Sequence, residues 1–205
     1  MRIDIWSDVV CPWCYIGITR FDRALASFDG EVTIRLHPFQ LDPDAPIPGV
    51  PVLEAYAAKF GAETDAVLER VTTEGAREGL TFNWDRAIRG NTFDAHRAIA
   101  YARRSNLDRE LEMQLFRAYF TSGLDISDRK VLVDAGALLG IDRGDLAAYL
   151  ASDDGVDEVR AELVAGIERG ITAVPSFVFE DEFLIPGAVD TASFERILEQ
   201  MRALR

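Results

Sequence analysis

Cys11 and Cys14 lie three residues apart around Pro12 and Trp13, and the 205 residues contain no other cysteine. Upstream, Ile3, Ile5 and Trp6 predict a short strand, Ser7 and Asp8 a turn, and Val9 and Val10 the approach to the first cysteine. Downstream, Tyr15, Ile16, Ile18, Phe21, Leu25 and Phe28 recur at near-helical spacing. The pair is therefore expected at a strand-to-helix junction. Cys11 falls near the N-cap and Pro12 at the first helical position, where a missing N–H costs nothing. Three residues apart on a helix, two Cα atoms lie about 5 Å from each other, inside the window a disulfide needs. Free N–H groups and the positive end of the helix favour the reactive thiolate of Cys11. Four residues thus point to thiol–disulfide chemistry.

Composition narrows the setting. An apolar fraction of 48% suffices for a core, and no apolar run approaches the ~18 residues of a membrane span. Met1-Arg2 runs straight into a strand without a basic and then apolar leader, so the cytoplasm is the expected address. With both cysteines in one motif, a structural disulfide framework is excluded. The net charge of −13 argues against nucleic acid and anionic membranes as partners, and a solvated acidic surface accounts for most of it.

Along the chain, Asp29-Gly30 predicts the end of the first helix, and Val32, Ile34 and Leu36 alternate as a second strand. Strand, helix and strand form a parallel unit with a right-handed crossover. The proline-rich stretch from Leu41 to Pro51 leaves the sheet as a loop. From Val52 to Ala151 the pattern predicts helices throughout, broken by a connection at Thr81–Trp84. Expected starts are Asn91, Ser127 and Asp142, with core stripes such as Leu53, Tyr56, Ala57 and Phe60, or Val131, Leu132, Ala135 and Leu138. A long helix follows, opened by Ser152 or Asp153, with Val156, Val159, Leu163 and Ile167 on one face and Gly170 closing it. Ser176–Phe179 and Phe183–Ile185 predict a hairpin, and Asp190 or Thr191 caps a last helix burying Phe194, Ile197, Leu198, Met201 and Leu204. Val174-Pro175 is a candidate cis bond. The class is α/β: residues 1–45 and 152–205 build a four-stranded mixed sheet with helices on both faces, and residues 46–151 are an inserted helical subdomain.

The chain resembles the DsbA-like thioredoxin-fold oxidoreductases, most closely their cytoplasmic FrnE-like branch. The resemblance spans essentially the whole chain. It rests on Ser7-Asp8-x-x-Cys11-Pro12-Trp13-Cys14, on Asn91-Thr92-Phe93-x-x-His96-Arg97, and on Ala173-Val174-Pro175-Ser176-Phe177. It implies that Cys11 attacks, Cys14 resolves, and Pro175 is a cis-proline packed against them. The backbone of Val174 would pair with an extended thiol substrate, with Pro12 and Trp13 beside it. DsbA carries a histidine where this chain has Trp13, whose indole has one N–H donor and no charge. The potential is accordingly expected between those of thioredoxin and DsbA, at roughly −270 to −120 mV. A related branch, similar to the 2-hydroxychromene-2-carboxylate isomerases, has serine in place of the first cysteine, and Cys11 departs from it.

Each candidate has a blander reading. A zinc half-site would need two more ligands, and only His37 and His96 are available, both distant in sequence. Two inert buried thiols would not be expected at a helix start. His37 reads as a structural histidine before Pro38, and Trp13 as packing beside the motif. His96 is a candidate tuning group for a nearby thiolate. Asp8 is either a turn residue or a carboxylate that raises a neighbouring thiol. The leading function is a disulfide oxidoreductase or isomerase acting on protein or low-molecular-weight thiols. It binds no cofactor, its redox-active group is the Cys11–Cys14 pair, and glutathione is a candidate co-substrate. The alternatives are a glutathione-dependent isomerase or transferase acting on an aromatic metabolite, and a redox-switched chaperone-like binding protein.

Overall fold

In a computed structural model, residues 1–204 are described. Strand β1 (Arg2–Ser7) lies inside a four-stranded sheet of order β2-β1-β5-β6. It pairs parallel with β2 (Thr33–Pro38) and antiparallel with β5 (Ser176–Phe179), which turns through a hairpin into β6 (Phe183–Pro186). A strand covered on both faces is buried along its length, so Ile3 and Ile5 pack on one side while Asp4 and Trp6 are enclosed on the other. Helix α1 (Pro12–Ala26) and α9 (Thr191–Ala203) cover the first face. Phe21, Phe177 and Phe194 meet there with ring centroids 4.8–5.3 Å apart, each burial worth about 2–3 kcal/mol. Helix α8 (Val156–Glu168) covers the second face, where Gly166 lets Trp6 approach so closely that an added Cβ would sit 2.8 Å from the indole nitrogen.

Between β2 and α8 run α2 (Val52–Phe60), α3 (Thr64–Arg77), α4 (Phe93–Ala102), α5 (Asp108–Phe116), α6 (Arg129–Leu138) and α7 (Arg143–Ala151). Tyr15, next to the second cysteine, stacks on Phe116 of α5 at 5.1 Å and on Phe120 beyond it. The helical segment thus shares one hydrophobic core with the sheet half. Buried Arg97 ties α4 to the α7–α8 connection, donating to the carbonyls of Tyr149, Leu150, Ser152 and Asp154. Among the described residues no helix is long and apolar enough to cross a membrane.

Several local expectations shift. The segment read as helical throughout is bracketed by a small ribbon, β3 (Val50–Pro51) with β4 (Ile88–Arg89). Gly49 makes it possible, since a Cβ there would lie 2.7 Å from the Arg89 carbonyl oxygen. Helix α1 stops at Ala26, before Asp29-Gly30, because the Ser27 N–H already closes on the Ala24 carbonyl and the Phe28 N–H on that of Leu25. Asp128, not Ser127, caps α6, because the Ser127 hydroxyl is drawn to Asp125. Thr92 occupies the N-cap of α4, while Asn91 accepts from the Phe93 N–H. Gly155, in a left-handed conformation, begins α8 in place of Ser152 or Asp153. Leu138 and Leu204 are exposed rather than core (73% and 69%), each lying at the C-terminal end of its helix. Asp142 and Asp190 cap α7 and α9 as expected.

Candidate active site

Cys11 is the N-cap of α1, with extended backbone (φ −88°, ψ 112°), and Pro12 opens the helix. The Cys14 N–H donates to the Cys11 sulfur at 3.4 Å, which is the capping bond a Ser or Asp would ordinarily provide. A sulfur in this position sits at the positive end of the helix. Both cysteines are free thiols. Cys11 is 4% exposed and Cys14 fully buried, so the expected difference in access is small in this state. Burial first, then its hydrogen bond and proximity to Cys11, push the Cys14 thiol well above its ordinary value.

The Val174–Pro175 bond is cis, as the sequence suggested. The Cys11 thiol donates to the Val174 carbonyl at 3.7 Å, so that carbonyl is engaged by the motif itself. The Val174 N–H has no partner among the described residues, whereas the Pro175 carbonyl accepts from Gly187 at 2.8 Å. Pro175 rests on Gly17 of α1, where an added Cβ would be 3.0 Å from the proline ring.

Beside the motif opens a groove of about 410 Å³, walled by Val10, Pro12, Val52, Tyr56, Phe60 and Tyr119. Tyr56, expected in a core stripe, packs against the core and also lines this groove, whereas Phe60 of the same stripe lines the groove without joining the core. Burial raises the Tyr56 phenol, and the nearby Cys11 adds to the effect. Its rim carries Lys59 and an ion pair between Arg89 and Asp42. Trp13 is half-buried and is not part of the groove wall. Its ring instead lies under the Arg70 guanidinium of α3, 5.4 Å from the centroid, so the tertiary structure supplies a cation that the motif lacks.

On the other side of the cysteines lies a buried polar cluster. The main-chain N–H of Asp8 reaches the Cys14 sulfur, and its carbonyl accepts from the Cys11 N–H at 2.9 Å. The Asp8 carboxylate points elsewhere, accepting from the Leu41 N–H at 2.8 Å, with its other oxygen 3.5 Å from His96 Nε2. Since a carbonyl can only accept, His96 Nε2 carries a proton and donates to Phe39 at 2.9 Å. Asp8 therefore tightens the turn and touches Cys14 through its backbone, while the carboxyl that raises Cys14 is Glu112. Sequence reasoning missed that residue. Glu110 and Glu112 stand two apart on α5, one exposed and one buried, and only packing separates them. The Ser7 hydroxyl donates to Glu112, and burial nonetheless raises the carboxyl to about 7. His37 hydrogen-bonds Asp4 at 2.7 Å and stacks on Trp6 at 4.4 Å, in a structural role.

A thiol at a helix N-cap, a second thiol one turn behind it and a cis-proline opposite make up the candidate site. The family model of the DsbA-like thioredoxin domain matches residues 2–199, and the chain belongs to that family. It is similar to the probable DsbA oxidoreductase SCO1869 of Streptomyces coelicolor, at 33% identity, TM-score 0.93, and coverage of 100% of this chain and 91% of that one. Two others share the fold. The cytosolic disulfide reductase DsbM of Pseudomonas aeruginosa aligns at 20% identity and TM-score 0.71 over the whole of both chains, and it has also been solved with glutathione. A 2-hydroxychromene-2-carboxylate isomerase aligns at 17% identity and TM-score 0.69, covering 100% of this chain and 94% of that one.

Proposed function

We propose that this protein is a thiol–disulfide oxidoreductase in which Cys11 attacks and Cys14 resolves. The observation that carries this reading is the Cys11 sulfur seated as the helix cap beside an open groove, with a second thiol one turn behind it. A disulfide substrate lies in the groove with its backbone against the Val174 N–H, and Pro12 and Pro175 flank the attacked sulfur. Attack by the Cys11 thiolate forms a mixed disulfide and expels one substrate thiolate. Attack by Cys14 on Cys11 then closes the protein disulfide and expels the second. No further cofactor enters this cycle. Glutathione is the proposed low-molecular-weight partner and the cytoplasm the proposed compartment, both supported by the fold shared with the glutathione-bound cytosolic reductase.

An insulin-reduction assay beside a glutathione redox titration tests the reading. Turnover of the wild-type protein, a potential in the range of roughly −270 to −120 mV, and no turnover by Cys11→Ser are expected. Wild-type protein inert towards both insulin and glutathione disulfide would falsify it. The apolar groove wall also suits an aromatic metabolite. Glutathione-dependent isomerisation that survives Cys11→Ser would favour that second reading.

A further inference from the structure

Residues Arg117–Thr121 continue α5 as a π-helical turn, closed by the Ser122 N–H on the Arg117 carbonyl at 3.0 Å. Such turns are rare within helices and concentrate at functional sites. Phe116 and Phe120 keep their places on Tyr15, while Tyr119 is carried onto the wall of the groove beside Cys11. Tyr119 is 1% exposed, yet its hydroxyl has no hydrogen-bond partner among the described residues. The unpartnered hydroxyl of Tyr149 is sealed from solvent, whereas that of Tyr119 is not and opens into the groove. Burial raises the Tyr119 phenol well above its ordinary value, so it stays protonated and brings a free O–H donor to an apolar wall. Arg89 lies close enough to act on that phenol, and its guanidinium has more N–H donors than its partner Asp42 consumes. Lys59, at the same rim, rests over the Phe60 ring at 5.4 Å and has no anionic partner among the described residues. Two cations against one carboxylate leave this rim positive on a chain of net charge −13.

We propose that the groove takes one half of a low-molecular-weight disulfide built of an apolar ring and a carboxylate, and that Tyr119 donates a hydrogen bond to that carboxylate. The inference rests on the exchange reading above and names its substrate class. The volume of about 410 Å³ suits a small molecule, for which sites run from roughly 300 to 1,000 Å³. The ring lies along Val52, Tyr56 and Phe60, and the carboxylate meets the Tyr119 hydroxyl and a spare N–H of Arg89. Cys11 loses its proton to water and its sulfur attacks the ring-bearing sulfur. The new bond joins Cys11 to that sulfur, the substrate S–S bond breaks, and its electron pair leaves on the other half as a thiolate. Tyr119 keeps its proton throughout and acts by binding.

The experiment compares dithiodipyridine with dithiodinicotinate, which has the same ring and disulfide and adds a carboxylate. Stopped-flow absorbance of the released thione follows loading of the dithiol protein, and the half-saturating concentration of each reagent is read. The wild type should half-saturate with dithiodinicotinate at about a tenfold lower concentration than with dithiodipyridine. Tyr119→Phe keeps the ring in its place and removes only the hydroxyl, and it should cut that preference about tenfold. Arg89→Gln leaves the phenol intact and should reduce the same preference several-fold. A wild type without preference overturns the proposal, and so does a preference that both variants retain. An equal rise for the two reagents in Tyr119→Phe also overturns it, because that marks a structural role. A wild-type protein that neither reagent loads sinks the exchange reading itself.

Discussion

Cys11 and Cys14 are separated by one helical turn, yet they meet opposite surroundings. Cys11 faces helix N–H groups, the Val174 loop and an apolar groove of about 410 Å³. Cys14 faces the Asp8 amide and a closed cluster centred on Glu112. One side holds a sulfur capping a helix beside a groove, and the other holds a thiol whose pKa burial raises. The difference teaches that the two steps of exchange are separated by dielectric as much as by position. Both sides depend on the helical segment, since α2 walls the groove and α5 supplies the acid.

The largest expected effect tests the assignment of roles. Cys14→Ser should accumulate a mixed disulfide at Cys11 and Cys11→Ser should be inert, as read by mass spectrometry after quenching with an alkylating agent. Equal trapping by both variants would erase the contrast between the sulfurs.

Next comes the energetic signature of the buried side. The Glu112 carboxyl is raised from 4.5 to about 7 in the folded protein, so the native state holds that proton longer than the unfolded chain does. Its contribution to stability is therefore constant below about 4.5, falls as pH rises through the window up to about 7, and levels off above it. The penalty at the upper end is about 3 kcal/mol, and Glu112→Gln should abolish the slope. Denaturant unfolding of the dithiol form across that window measures it. A wild-type curve that is flat there would remove the basis for calling the Cys14 side desolvated.

A smaller effect concerns the poise of the Cys11 side. Trp13→His places a titratable group inside the motif, and the pair should become more oxidising by about 30 mV, equivalent to 1.4 kcal/mol. Arg70 lies over the same indole, so Arg70→Gln should shift the potential the other way by a smaller amount. Glutathione titrations decide both, and an Arg70→Gln shift larger than that of Trp13→His would show that the insertion dominates the poise.

The smallest effect is at the seat of the cis-proline loop. In Gly17→Ala the new methyl would lie 3.0 Å from the Pro175 ring and 3.2 Å from Ala188, so the loop must give by a few tenths of an ångström. A loss of about 1 kcal/mol is expected by thermal unfolding, together with slower attack by Cys11 on a small disulfide.

Much of this was legible along the chain. Helix periodicity, the Cys-Pro-Trp-Cys junction, the hairpin and the Asp142 and Asp190 caps depend on neighbours within a turn or a strand, and short-range chemistry writes them directly. Cap positions failed where a second partner competed, as Asp125 did for Ser127. The ribbon β3–β4 was missed because two residues are too few for alternation to show, and the groove-lining place of Phe60 because a stripe does not say whether it meets a core or a groove. The sequence by itself determined the Cys-Pro-Trp-Cys junction, the mixed sheet and the presence of a helical insertion. Tertiary structure alone decided that Arg70 covers Trp13 and that Glu112, not Asp8, is the carboxyl acting on Cys14. The physical reason is separation: Ser7 and Glu112 are 105 residues apart, and nothing local distinguishes Glu112 from Glu110 until α5 packs against the end of β1 and removes one of them from water.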